Sequence, residues 1–131
     1  MTELARRVRM SPPSVTERVR RLEDAGIISG YQAQIKPEAL GYTVTAYIRI
    51  RPTAGQLPKV AKLLPSIKEI VTCDRVTGED CFIAKAHLLD IAALEVLIDK
   101  LMPYAQTTTS IVQSSPVARR LPPLRLDGEC A

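Results

Sequence analysis

Arginines dominate the chemistry available in residues 11–28, SPPSVTERVRRLEDAGII. Apolar side chains recur there at Val15, Val19 and Leu22, the i, i+4, i+7 spacing of one helix face. The opposite surface carries Pro13, Thr16, Glu17, Arg20, Arg21 and Asp24. Arg18 flanks the apolar stripe. A helix that buries one stripe and shows arginine, threonine and serine elsewhere is suited to binding an anionic partner.

The segments around this helix predict a helix-turn-helix. Thr2–Val8 is expected to form a short helix capped by Thr2, followed by a tight turn at residues 9–10. Ser11 is expected to cap the second helix, and Pro12 suits its first position, where a missing N–H costs nothing. Two helices joined by so short a turn form a helix-turn-helix, whose second helix enters the major groove of DNA.

The outward side chains of the second helix would have two roles on DNA. Those near its N-terminus could reach base edges, whereas Arg20 and Arg21 are better placed for phosphates. The predicted DNA-binding residues are Ser11, Pro12, Ser14, Thr16, Glu17, Arg18, Arg20 and Arg21. The alternative for the arginines is an ordinary solvated helix face.

Composition and isolated reactive residues favour a binding protein over an enzyme. The 131 residues carry a net charge of +4, and residues 1–30 hold six arginines against four acids. The three cysteines form no CxxC pair, which argues against a disulfide framework or a zinc site. His87, the single histidine, has no acid or cysteine spaced to complete a metal or catalytic set. We therefore expect no catalytic residues, cofactor or metal, and an enzyme is the least favoured alternative.

The sequence also predicts a soluble, cytoplasmic protein with no membrane partner. It shows no signal peptide, and no apolar run approaches the ~18 residues that a membrane-spanning helix needs. The hydrophobic content of 46% is that of a globular chain.

Beyond the helix-turn-helix, strands and helices alternate, which predicts an α+β protein. Residues 27–35 look extended and are expected to form a wing strand. Further strands are predicted at 44–51, 68–76, 81–88 and 106–114, with helices at 55–65 and 90–103. This β-α-β-β-α-β order is the ferredoxin-like arrangement. The predicted divisions are a winged helix-turn-helix over 1–35, a linker over 36–43, a ferredoxin-like domain over 44–117 and a tail over 118–131.

Two of these elements have clear periodicity. One strand alternates Val44, Ala46, Ile48 and Ile50 with Thr45, Tyr47, Arg49 and Arg51, a period of two with one covered face. One helix repeats Leu94, Leu97, Ile98 and Leu101 at i, i+3, i+4, i+7 behind an Asp90 cap. Together the two patterns predict that one face of the sheet is buried against the apolar face of a helix.

The order of these motifs resembles the Lrp/AsnC family of feast/famine regulators. The resemblance covers residues 2 to 117. It is carried by Ser11-Pro12, Val15, Arg18-Val19, Leu22-Glu23, Gly26, Ile28, Gly30-Tyr31, Val76-Thr77-Gly78 and the strand Thr107-Thr108-Thr109-Ser110. Each piece alone is weak, whereas their order and spacing together are specific.

The resemblance implies a transcription regulator that binds double-stranded DNA through its winged helix. It also implies homodimers, formed by pairing of the sheets, that assemble into octamers or other even-numbered oligomers. An amino acid or related small effector would bind between dimers. The implied effector-binding residues are Thr77, Gly78, Glu79, Asp80, Thr108 and Ser110. Turn N–H groups and hydroxyls would hold its carboxylate, and Glu79 or Asp80 its ammonium.

This sequence departs from the family pattern at two places. At the turn, Asp80 stands where the family commonly has an aromatic residue and Cys81 where it has a second acid, so the effector is not carried over. The family normally begins with an additional helix of about a dozen residues, whereas this sequence starts at the first helix of the motif. Either the true start lies upstream, or the chain is a metabolite-sensing oligomeric module with an incomplete DNA-binding domain.

Overall fold

The computed structural model describes residues 1–125 and divides the chain into two compact units, Met1–Ile35 and the residues from Lys36 onward. The first unit contains helices α1 (Thr2–Val8) and α2 (Pro12–Asp24). The second contains a 3-10 turn (Pro37–Leu40), β1 (Val44–Pro52), α3 (Leu57–Leu63) running into a 3-10 turn (Leu64–Ser66), β2 (Ile70–Arg75), β3 (Phe82–Leu88), α4 (Ile91–Leu101) and β4 (Ala105–Ile111). The predicted α+β class is confirmed. The last six residues of the predicted tail, 126–131, lie outside the described residues.

A tight turn joins the two helices of the first unit. Arg9 ends α1 in the left-handed conformation, with φ of 58°, and the N–H of Met10 donates to the Ala5 carbonyl at 3.0 Å. The predicted helix-turn-helix therefore forms. The expected Thr2 cap is wrong: Met1 is the cap residue and Thr2 begins the helix.

The apolar stripe of α2 is only partly covered. Val15 is 4% exposed and Ala5 is 2% exposed, and each is the one buried residue of its helix. Val19 is half-buried and Leu22 is 40% exposed, so the expectation that Leu22 is buried is wrong. The physical reason is length, because the seven-residue α1 cannot cover the last turn of the thirteen-residue α2.

The expected wing strand over residues 27–35 is also wrong. The structure places no strand in the first unit, and residues 27–35 carry two bends followed by irregular backbone. A strand needs a neighbour that accepts and donates its backbone hydrogen bonds, and the other described residues of this unit are helix and turn. A segment with the sequence pattern of a strand therefore stays irregular when no neighbouring strand is present to share its backbone hydrogen bonds.

Four antiparallel strands form the sheet of the second unit, in the order β2-β3-β1-β4. This is the predicted ferredoxin-like arrangement, with β1 and β3 in the centre. Side chains of β1 and β3 alternate between the two faces. On one face, Ala46, Ile48, Ile50, Ala84, Ala86 and Leu88 are fully buried.

Helices α3 and α4 cover that buried face. Val60, Leu94, Leu97 and Leu101 join the strand residues in one core cluster, as the periodicity of α4 predicts. Asp90 caps α4 by accepting a hydrogen bond from the N–H of Ala93 at 2.8 Å. The other face of the sheet, called the open face below, carries Thr45, Tyr47, Arg49 and Arg51 of β1, Ile83, Lys85 and His87 of β3, and Thr108 and Ser110 of β4.

Within residues 1–125, no helix is both long enough and apolar enough to cross a membrane.

Candidate functional site

The surface of α2 carries the predicted DNA-binding residues. Ser11 caps the helix by accepting a hydrogen bond from the N–H of Ser14 at 3.4 Å. The next residue, Pro12, occupies the first helical position. Ser14 is half-buried, whereas the other seven residues of the predicted set are exposed. The cap therefore fixes where the helix starts and leaves its outer surface accessible.

The guanidinium groups of α2 differ in how they are paired. The Nε of Arg21 lies 3.4 Å from the Glu17 carboxylate, one helical turn away. Among the residues that the structure describes, Arg18 and Arg20 form no ion pair, and both are exposed. These two arginines therefore present their full charge to an anionic partner.

The arginines of α1 are more strongly neutralised. Arg6 and Arg7 contact the Glu3 carboxylate at 2.7 and 3.1 Å. Hydrogen bonds from Arg6 and then Arg7 lower the pKa of Glu3, so the carboxylate stays charged and keeps both guanidiniums occupied. Among the arginines of the two helices, Arg18 and Arg20 are therefore the ones without an ion pair.

A second candidate site lies at the turn between β2 and β3. The N–H of Val76 donates to the carbonyl of Cys81 at 2.9 Å and closes the turn. Gly78 has φ of 107°, a left-handed conformation that a side chain would strain. This turn, residues 76–81, holds four of the predicted effector-binding residues, and Glu79 projects from it with 85% of its side chain exposed.

Two arginines of β1 approach the acids of this turn. Arg51 Nη2 lies 2.8 Å from Glu79 Oε2 and 3.7 Å from Asp80 Oδ1. Arg49 Nη1 lies 3.8 Å from Asp80 Oδ2. We call Arg49, Arg51, Glu79 and Asp80 the ion-pair cluster. An effector ammonium that bound Glu79 or Asp80, as predicted, would therefore compete with these arginines for the carboxylates.

The remaining predicted effector residues, Thr108 and Ser110, are exposed on the open face of β4. Arg49 pairs with Thr108 across the β1–β4 ladder. Because strands are about 4.8 Å apart, β1 separates β4 from β3 by roughly two strand spacings. In the described part of the chain no hydrogen bond joins the turn to Thr108 or Ser110, so the structure does not directly join the two halves of the predicted set.

Sequence reasoning missed Arg49 and Arg51 as site residues. The alternation of β1 predicts that they face outward, and they do. Their meeting with Glu79 and Asp80 depends on the register in which Ile50 pairs with Phe82, and no feature of one strand specifies that register.

The other reactive side chains have structural settings. His87 Nδ1 lies 3.0 Å from the Thr45 hydroxyl on the open face. Burial, and next the charge of Asp74, raises the pKa of Cys73, which keeps the thiol protonated and weakly nucleophilic. Among residues 1–125, no group of three His, Cys, Asp or Glu side chains is arranged to hold a metal ion.

An open groove lies on the helical side of the second unit, between α3 and Tyr104, which lies in the segment joining α4 to β4. It has a volume of about 280 Å³ and is lined by Lys59, Lys62, Leu63, Ser66 and Tyr104. The Lys59 ammonium sits 4.8 Å from the centre of the Tyr104 ring. None of the predicted site residues lines it.

Two family profiles match the chain. Residues 45–122 match the Lrp/AsnC ligand binding domain, and residues 1–29 match a winged helix-turn-helix DNA-binding domain. The HTH-type transcriptional regulator LrpC of Bacillus subtilis is 35% identical over 114 residues, which cover 87% of this chain and 79% of LrpC. The structure of LrpC superimposes with a TM-score of 0.82 at 33% identity, covering 90% of this chain and 84% of that one.

Two similar structures contain an amino acid. The feast or famine regulatory protein of Mycobacterium tuberculosis, in complex with L-methionine, has a TM-score of 0.78 at 33% identity and covers 91% of this chain and 83% of that chain. A transcriptional regulator of Neisseria meningitidis in complex with L-Met has a TM-score of 0.82 at 27% identity, with 92% and 82% covered.

Proposed function

The chain belongs to the Lrp/AsnC family, and we propose that it is a sequence-specific DNA-binding transcription regulator whose oligomeric state and DNA binding respond to an amino acid or related small metabolite. Its relatives include HTH-type transcriptional regulators. The observation that carries the proposal is the capped helix α2, which exposes Arg18, Arg20 and Arg21 outside its apolar stripe. Such a regulator would act in the cytoplasm, with the chromosomal DNA.

On DNA, α2 would enter the major groove. Thr16 and Glu17, near the start of the helix, would lie toward base edges, and Arg20 and Arg21 toward phosphates. Phosphate contacts fix the position of the protein and make its affinity depend on salt. A dimer would present two such helices to half-sites about one helical turn, or multiples of a turn, apart.

Homodimers would form through the open face of the sheet and assemble into octamers or other even-numbered oligomers. Tyr47 and Ile83 support this proposal, because they leave apolar surface near the middle of the open face, at 43% and 36% exposure. Native mass spectrometry tests it directly: even-numbered assemblies are expected, and a monomer at micromolar concentration would contradict the proposal.

The effector would bind at the turn of residues 76–81, together with Thr108 and Ser110. The L-methionine complexes of two similar proteins support an amino acid as its class. Effector binding would change the assembly or the DNA affinity only to the extent that it favours one of two states.

Thermal denaturation with each of the twenty amino acids tests the effector site. A ligand at 100 times its Kd stabilises the folded state by about 2.7 kcal/mol. Replacing Thr108 with Val together with Ser110 by Ala should abolish the shift in melting temperature. The control is Thr72→Val, an exposed threonine on edge strand β2, which should keep the shift. If the double variant keeps the full shift in melting temperature, the effector binds at other residues.

A second candidate function is a metabolite-sensing module whose DNA-binding part is not functional. The observation that favours it is the thin core of the first unit, where Leu4, Val8 and Leu22 are 40–49% exposed. A poorly buried pair of helices holds its surface less rigidly for DNA. This candidate predicts ligand-induced stabilisation without binding of duplex DNA at low salt.

A further inference from the structure

We propose that the segment following β4, residues 113–125, is a second DNA-binding element, which holds phosphates of the duplex through Arg119 and Arg120. This segment is called the arginine arm below. The inference rests on the proposed DNA-binding function and adds a contact outside the helix-turn-helix. The ligand of the arm is the phosphate backbone, so its contribution is the same for every DNA sequence.

Positive charge without acids distinguishes this part of the chain. From Lys100 to Arg125 there are four basic residues and no aspartate or glutamate, a net charge of +4. Residues 1–99 hold 14 basic and 12 acidic residues, a net charge of +2, and residues 126–131 hold two acids and no base, a net charge of −2. Most of the excess positive charge of the protein therefore lies in residues 100–125.

The two neighbouring guanidiniums of the arm are available to an anion. Arg119 and Arg120 are exposed, and among the residues that the structure describes neither has an ion-pair or hydrogen-bond partner for its side chain. The arginines of α1, by contrast, share one carboxylate. Since α2 supplies two arginines without an ion pair, Arg18 and Arg20, the arm doubles the number that α2 alone offers to DNA.

The backbone of the arm holds these side chains away from the core. Just before it, the N–H of Val112 donates to the Thr45 carbonyl at 2.9 Å, and the structure places no helix or strand in residues 113–125. Three prolines interrupt the arm, Pro116, Pro122 and Pro123. Proline has no N–H to donate to a strand ladder, so the arm does not prolong β4. Leu121 is 87% exposed, so this apolar side chain does not anchor the arm to the domain.

The length of the arm suits contact with a duplex. Eight residues separate Arg120 from Val112, and at about 3.1 Å per residue an extended segment of that length spans roughly 25 Å. This is about twice the ~12 Å width of the major groove of DNA. The arm can therefore follow the phosphate backbone beyond the domain from which it emerges.

DNA fits these residues better than an acidic protein surface does. A duplex presents one negative charge per ~1.7 Å of its axis, so an irregular segment finds phosphates without a fixed spacing of its arginines. An acidic protein would need carboxylates matched to that spacing. The arm and α2 also belong to one chain, so after α2 binds the duplex the arm meets it at an effective concentration on the order of millimolar for a short linker.

Removal of both charges from the arm tests the proposal. In Arg119→Gln with Arg120→Gln, fluorescence anisotropy of a labelled duplex of arbitrary sequence should show a smaller slope of log K against log salt. The expected decrease is about 1.8 for each copy of the chain whose arm touches DNA, since each phosphate contact contributes about 0.9. From 50 to 200 mM salt, the wild type should therefore lose roughly twelvefold more affinity than the variant for each such copy.

Two matched variants and one further measurement separate DNA contact from other effects. Arg119→Lys with Arg120→Lys keeps both charges and should keep the slope of the wild type. Lys62→Gln with Lys68→Gln removes two charges from exposed lysines of the second unit outside the arm and should also keep that slope. Native mass spectrometry should show the same assembly for the glutamine variant of the arm and for the wild type.

Four results would overturn the proposal. If the glutamine variant of the arm keeps the slope of the wild type, or the lysine variant loses it, phosphates are not held by the charges of the arm. An acidic protein is then the better partner, and DNA binding by α2 stands. If the variant of Lys62 and Lys68 loses as much slope, net charge alone explains the effect. If the assembly changes, the arm acts through oligomerisation. If the wild-type protein binds no duplex at low salt, the proposed DNA-binding function fails and this inference fails with it.

Discussion

Replacing the arginines of α2 one at a time should change how strongly DNA binding depends on salt. Each phosphate contact contributes about 0.9 to the slope of log K against log salt on duplex DNA. From 50 to 200 mM salt, a change of about 0.6 logarithmic units, one contact accounts for roughly a 3.5-fold loss of affinity. Arg20→Ala should therefore reduce the magnitude of the slope by about 0.9 for each copy of the chain that touches DNA.

Arg21 should behave differently because it already has a partner. Its Nε must leave the Glu17 carboxylate, 3.4 Å away, before it can contact a phosphate fully. Helix ion pairs of this spacing are worth about 0.3–0.5 kcal/mol, so Arg21→Ala should lose roughly twofold less affinity than Arg20→Ala at low salt. Glu17→Gln removes the competing carboxylate and should increase affinity for a duplex of arbitrary sequence.

Fluorescence anisotropy of a labelled duplex, titrated at several salt concentrations, measures these effects. Arg75→Ala, on β2 of the second unit, removes the same charge from a residue outside α2 and serves as the control. An unchanged slope in both Arg20→Ala and Arg21→Ala would refute phosphate contact by this surface. If Arg75→Ala and Arg20→Ala give equal slopes, the change in salt dependence comes from the net charge of the protein and not from contacts of α2.

Three further predictions concern folding and pH. Ser11→Ala removes the cap of α2 and should lower the free energy of unfolding by about 0.5–1 kcal/mol in urea denaturation, since the cap bond is long; no loss would mean the cap is not formed. Ile48→Ala empties a fully buried position between β3 and β4 and should cost about 2–5 kcal/mol in the same assay, whereas a loss below about 1 kcal/mol would contradict the described core. Burial, and next the charge of Lys85, lowers the pKa of His87 below its ordinary value of 6.5. The unfolded chain then binds more protons, so stability should fall as pH drops through that value. The single imidazole resonance in an NMR titration gives the midpoint, and a midpoint above 6.5 would contradict this.

Apolar periodicity predicted correctly the strands and helices whose buried face it marks. The alternation of β1 and the helical repeat of α4 each specify a buried face, and both faces meet in the core. The Ser11 cap and Pro12 were readable because capping depends on residues next to one another in the chain.

Features that depend on distant partners were missed or wrong. The wing strand at residues 27–35 failed because an extended pattern does not supply a neighbouring strand. Leu22 is exposed because coverage depends on the length of α1. The contact of Arg51 with Glu79 joins residues 28 positions apart in sequence, and it depends on strand register, which the pattern of one strand does not contain.

Binding of duplex DNA, with and without amino acids, tests the central claim most directly. Anisotropy at low salt should show binding that weakens steeply as salt rises, and at least one of the twenty amino acids should change the apparent Kd. If the duplex does not bind while an amino acid still raises the melting temperature, the DNA-binding function is contradicted and the sensing module is the correct account.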